Sequence, residues 1–157
     1  MIQWESYLKV EDEFIEIAAC SGPLDEPDYL DGFLRLTVDG VAVLDEEHWD
    51  LVDFLWDFLV EAMEEMQDAD SFVVQFADQP THIRLQRLVG GRLRIELVVP
   101  GRYVRRAECA FDEFVATAIP AATSFFGHLV RLDPEHRERH EVLLQRVSVL
   151  AGRAGRR

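Results

Sequence analysis

The segment from Glu46 to Gln67 constrains the fold more than any other. Trp49, Val52, Trp56, Leu59, Met63 and Met66 recur at spacings of three and four, which predicts an amphipathic helix with a broad apolar stripe. The same segment carries Glu46, Asp50, Asp53, Asp57, Glu61 and Glu64, and Asp68 follows directly after it. At about 100° per residue these acids fall within about 80° of one another, as a ridge of carboxylates. Each like-charged neighbour at i,i+3 or i,i+4 costs an isolated helix about 0.2–0.5 kcal/mol. Tertiary packing must offset that repulsion, so the segment is predicted to be a central helix. Its buried face would hold Trp49, Val52, Leu55, Trp56, Leu59 and Met63.

Charge is divided unevenly along the chain. Residues 1–70 hold 21 acids against Lys9 and Arg35, whereas residues 71–157 hold nine acids and fourteen arginines. The net charge of −14 argues against a nucleic-acid backbone or an anionic membrane as the main partner. No run approaches the roughly 18 apolar residues of a membrane span. The opening Met1, Ile2, Gln3, Trp4, Glu5 lacks a charged-then-apolar leader, so a soluble, cytoplasmic protein is expected. The two halves are electrostatically complementary and no Ser/Gly/Pro-rich linker separates them. Residues 1–151 therefore read as a single domain, with 152–157 as a flexible basic tail. Cys20 and Cys109 stand 89 positions apart, which provides neither a disulfide framework nor a metal-binding pair.

Strand signals flank the acidic segment. Phe14 to Cys20 is short and apolar. Residues 33–38 alternate before Asp39-Gly40, a two-residue hairpin loop that would pair Val38 with Val41 and Leu36 with Val43. Gly90-Gly91 marks a second hairpin. A three-residue loop from Gly90 to Arg92 keeps Leu85 opposite Leu97 and Ile83 opposite Val99, with Arg87 intruding opposite Ile95. Phe72 to Phe76 and Tyr103 to Cys109 would flank it as a four-stranded meander. A helix is predicted from an Asp112 N-cap, broken or kinked at Pro120. Another follows Asp133-Pro134 and carries Leu143, Val147 and Leu150 on one side as far as Gly152. The class is α+β: two antiparallel hairpin or meander sheets, or one mixed sheet, packed on a central acidic helix and two C-terminal helices.

No catalytic constellation emerges. No serine has a Gly-x-Ser-x-Gly setting, and both cysteines sit in apolar, strand-like surroundings. Gly90-Gly91 lacks the spacing and lysine of a phosphate loop, and Asp45 to Asp57 lacks the central glycine of a calcium loop. His136 and His140 have helical metal spacing. However, Arg137 and Arg139 disfavour a cation there, so neither a metal nor a cofactor is expected. The ridge remains, and Asp50, Asp53, Phe54, Asp57, Glu61 and Glu64 are the candidate partner-binding residues. The acids can form a solvated face, dock the protein's own arginines, or steer a basic partner, and Phe54 at their edge can be covered by a loop or serve as an anchor. Arg84, Arg87, Arg92, Arg94, Arg102, Arg105 and Arg106 gather on the second sheet, where they are expected to face the acidic half.

In overall profile the chain resembles the small acidic immunity proteins that accompany bacterial polymorphic toxins. That resemblance implies a non-catalytic, stoichiometric inhibitor whose carboxylates stand in for phosphates in the active site of a basic toxin, often a nuclease. Two other classes fit the same residues. One is an enzyme or small-molecule module with a pocket lined by His82, Arg84 and converging acids. The other is a homo-oligomeric structural or regulatory protein in which acidic and arginine-rich surfaces of neighbouring chains meet.

Overall fold

Strand β1 (Ile2–Val10) runs through the middle of the first sheet, between β2 (Glu13–Glu16) and β3 (Asp31–Val38). Its pattern is easy to overlook, because Ser6 interrupts the inward-facing series Ile2, Trp4, Leu8 and Val10. The structure explains the interruption: buried Ser6 Oγ accepts a hydrogen bond from Trp56 Nε1 at 2.9 Å. The strand expected over Phe14 to Cys20 stops at Glu16, where Ile17–Ala19 forms a 3-10 turn closed by Cys20 N–H donating to the Ile17 carbonyl. This computed structural model describes residues 1–24 and 26–155.

The first sheet is completed by β4 (Val41–Leu44) and by β5 (Asp50–Leu51), which pairs with the start of β3. Asp39 and Gly40 take φ of 49° and 81°, as a tight hairpin of this kind requires. Val38 pairs with Val41 as predicted. Leu36 pairs with Leu44 rather than Val43, because a bulge lies between Leu36 and Thr37. The extra residue turns both Val43 and Leu44 into the core. Gly32 sits where β1, β3 and β5 converge, and a Cβ there would collide with the Tyr7 carbonyl.

The second sheet is the expected meander in the order β6 (Ser71–Gln75), β7 (His82–Leu88), β8 (Arg92–Val99) and β9 (Tyr103–Ala110). Its hairpin loop is Val89-Gly90-Gly91, one residue earlier than the sequence suggested, so Leu85 faces Ile95 and Ile83 faces Leu97. Both registers keep the apolar side chains on one face. Arg87, now opposite Leu93, also points inward, where its guanidinium stacks 4.0 Å over the Phe111 ring and donates to the Met66 carbonyl. Val89 is left at the exposed tip.

Helix α1 (Val52–Glu65) begins later than the periodicity indicates. Glu46–His48 is a 3-10 turn in which Asp45 accepts the Glu47 N–H and donates its own N–H to His48 Nδ1. The chain then pairs with β3 before Val52 N–H reaches the Leu30 carbonyl. Trp49 is consequently off the helix and 38% exposed, with Lys9 Nζ 5.2 Å from its ring, which corrects its expected burial.

Helix α2 (Phe111–Leu132) passes unbroken through Pro120. Pro120 and Ala116, the residue whose carbonyl it leaves unpaired, both lie on the exposed side, where water can satisfy that group. Asp112 lies in the first turn rather than at the cap. After a 3-10 turn at Pro134–His136, α3 (Arg137–Ala154) continues past Gly152. Residues 152–154 are thus helical rather than a flexible tail, while Arg156 and Arg157 lie outside the described residues.

One continuous cluster of buried side chains joins both sheets and all three helices. It contains Trp56, Leu59 and Met63 from α1, Leu36 and Val38 from β3, and Leu85, Ile95 and Leu97 from the second sheet, as expected. Among the described residues no helix is long and apolar enough to cross a membrane.

Candidate functional site

The carboxylate ridge does not stand free. Arg139 and Arg146 project from α3 onto it: Arg139 Nη2 lies 3.1 Å from Asp53 Oδ2, and Arg146 bridges Asp57 Oδ1 at 2.9 Å and Glu64 Oε1 at 2.6 Å. The pairing has a signature in the sequence. Asp57 and Glu64 are seven residues apart, as are Arg139 and Arg146, and two helical turns return each pair to one face. The paired carboxylates hold the Arg146 guanidinium above its ordinary pKa, Glu64 contributing most. Burial pushes the Asp53 carboxyl up, against the opposing pull of Arg139.

The six candidates therefore separate. Asp50 is not on the helix at all: it is 2% exposed and accepts the backbone N–H groups of Leu51, Asp78 and Gln79, stitching β5 to the loop after β6. Asp53 is buried beneath Arg139, and Asp57 and Glu64 are half-buried under Arg146. Phe54 is half-buried, with the Arg139 guanidinium 5.9 Å from its ring and Phe58 6.4 Å away. Glu61 is exposed and, among the described residues, makes no ion pair; Glu65, one helical turn beyond, is the same. The surface α1 offers to solvent is thus Phe54, Phe58, Glu61 and Glu65, adjoining the acids already committed to α3.

Neutralising the paired acids should accordingly weaken the fold, not relieve it. Asp57→Asn combined with Glu64→Gln is expected to lower stability by about 1 kcal/mol, discounted for exposure, as measured by urea denaturation. The repulsion between like charges along an isolated helix would by itself give the opposite sign.

The base of α3 is anchored by a second polar group. Asp133, 1% exposed, accepts from His140 Nε2 at 2.8 Å and from His136 Nδ1 at 3.0 Å, while His136 Nε2 faces Asp28 at 3.1 Å. Burial pushes the His140 pKa down despite Asp133, and it does the same to His48, whose Nε2 lies 2.7 Å from Tyr103 Oη. A histidine depressed in the folded state binds its proton more readily when unfolded. Stability should therefore fall as pH drops below about 6.5, the ordinary histidine value, toward the folded pKa values. Urea unfolding at pH 7.5 and 5.5 is expected to show the lower stability at pH 5.5.

The arginines of the second sheet mostly do not turn to the acidic half. Arg105 does, pairing with Asp45 at 2.7 Å and Glu47 at 3.5 Å. Arg94 and Arg106 pair with Glu108 and Glu96 on their own sheet, and Arg87 turns inward to Met66 and Phe111. Arg84, Arg92 and Arg102 are exposed. The reason is register: Arg84, Glu96 and Arg106 stand side by side across β7, β8 and β9 on the face away from the core.

A cleft of about 460 Å³ opens elsewhere, between the β1–β2 turn and the segment after Ser21. Its charged walls are Lys9, Glu11, Asp12, Glu26 and Asp31, and neither His82 nor Arg84 lines it. Burial raises the Asp31 carboxyl, with Lys9 opposing. No family model, curated protein or solved structure matches this chain.

Proposed function

We propose that this is a non-catalytic binding protein, an immunity-type inhibitor that takes a basic protein partner on the solvent-facing arc of α1. One observation carries the reading: Phe54 and Phe58, both only partly buried, lie beside Glu61 and Glu65, two acids with no cation of their own among the described residues. Aromatic anchors flanked by unbalanced charge suit an interface in which carboxylates steer encounter and rings hold the complex. Asp53, Asp57 and Glu64 then act from behind the arc, fixing α1 against α3. Asp50 stabilises the turn into the helix and has no part in contact.

The partner to test is the C-terminal domain of any large secreted protein encoded beside this gene. Stoichiometric binding that suppresses that domain's activity is expected. Glu61→Gln with Glu65→Gln should slow association about tenfold at low salt, and the difference should shrink as ionic strength rises past the point where the screening length is about 8 Å. Phe54→Ala or Phe58→Ala should instead raise the dissociation rate, by about 2 kcal/mol in free energy. Binding unchanged in all these variants would overturn the reading, as would a neighbouring gene that encodes no such domain.

A further inference from the structure

Asp28, Glu135 and His136 come together at the turn between α2 and α3, with one ligand atom from each lying within 4.8 Å of the other two. His136 decides what this group can hold. Its Nδ1 stands 3.0 Å from Asp133 Oδ2, and the Asp133 side chain is 1% exposed. A buried carboxylate at Nδ1 fixes the proton of a neutral ring there, so Nε2 presents a lone pair. Yet Nε2 lies 3.1 Å from Asp28 Oδ1, which is an acceptor as well. A cation must sit between these two atoms, either a second proton on the ring or a metal ion.

Charge and geometry favour the metal. Asp28, Glu135 and Asp133 bring three carboxylates to one imidazole, and Glu135 has no cation of its own among the described residues. A proton would leave two of those negative charges unbalanced, and a divalent ion only one. Zinc with nitrogen and oxygen ligands at about 2.0–2.2 Å keeps neighbouring ligand atoms about 3.3–3.6 Å apart, close to the separation of His136 Nε2 and Asp28 Oδ1. Glu135 is exposed and can close the remaining gap by a change of rotamer. The nearby arginines are engaged elsewhere, Arg137 with Glu141 at 2.8 Å and Arg139 with Asp53 at 3.1 Å. His140, the partner that helical spacing suggests, instead bonds to Asp133 through Nε2. The comparable group of Asp45, Glu47 and His48 differs, because Arg105 already supplies its positive charge and His48 Nε2 is held by Tyr103.

We propose that Asp28, Glu135 and His136 form a site for one divalent transition-metal ion of the zinc type, with Asp133 as the carboxylate that orients His136. The imidazole selects such an ion over calcium or magnesium. Three protein ligands leave a fourth position for water, and the ion clasps the segment before β3 to the start of α3.

Zinc chloride added to the untagged protein tests the site. Calorimetric titration should give one ion per chain, and zinc at about 100 times its dissociation constant should raise the melting temperature by about 5–10 °C. Asp28→Asn with Glu135→Gln alters only exposed side chains, so it should remove that rise while barely changing the zinc-free protein. His136→Ala should abolish the rise, whereas His128→Ala, outside the site, should keep it. Calcium chloride should have no such effect. The proposal is overturned if zinc leaves the melting temperature unchanged, if the rise survives in either site variant, as it would for zinc held by a cysteine, or if calcium produces an equal rise.

Discussion

Replacing Trp56 by alanine is expected to cost about 3–5 kcal/mol, lowering the melting temperature by about 6–20 °C for a chain of this length. Trp56 is fully buried at the centre of α1, its ring 5.2 Å from that of Trp4, which in turn meets Phe114 of α2 edge-on at 5.4 Å. Truncation removes the indole from the junction between the first sheet and both helices, and it also strips buried Ser6 Oγ of its donor. Trp56→Phe should recover part of the packing but not the hydrogen bond. Thermal unfolding followed by circular dichroism separates the two contributions, and an unchanged melting curve for the alanine variant would contradict the placement of α1.

Asp50→Ala is the second large effect, and its sign sets the folded structure against the helical wheel. As one member of a repelling ridge, Asp50 would be neutral or stabilising to remove. As the buried acceptor of the Leu51, Asp78 and Gln79 N–H groups, it leaves three backbone donors without their partner when truncated. Charge-assisted bonds of this kind are stronger than neutral ones, and the expected loss is about 3 kcal/mol. Asp50→Asn keeps one acceptor oxygen and should lose about half as much. Urea denaturation of the two variants beside Glu61→Gln, which touches no paired group, reads the difference directly.

The helical wheel failed at Asp50 for a physical reason. Periodicity records which residues would share a face if a helix continued, but it does not record competition from a strand. Residues 50 and 51 find partners on β3, and the 3-10 turn before them is closed by Asp45 and His48, so the helix starts at Val52. From Val52 onward the periodicity holds, and Val52, Leu55, Trp56, Leu59 and Met63 are all buried. A similar limit applies at Gly90-Gly91. The pattern required an apolar face and the structure has one, but a shift of a whole residue in the loop kept the same side chains inward. Alternation along the strands is the same in both registers, so the pattern by itself could not separate them.

Local chemistry in the sequence was enough to determine the α+β class, the two glycine-marked hairpins, the four-stranded meander and the apolar face of α1, because turn conformation and side-chain period are properties of short segments. It did not determine the destination of the charges. Whether Asp57 and Glu64 meet solvent or Arg146, and whether Arg84 and Arg106 meet the acidic half or face outward, depends on how elements some 80 residues apart are brought together. Charge acts at range and without a period, so its partners appear only when the backbone is in place. Tertiary packing drew Asp53, Asp57 and Glu64 of the ridge into the seam between α1 and α3, and left Phe54, Phe58, Glu61 and Glu65 as the part of that helix turned toward solvent.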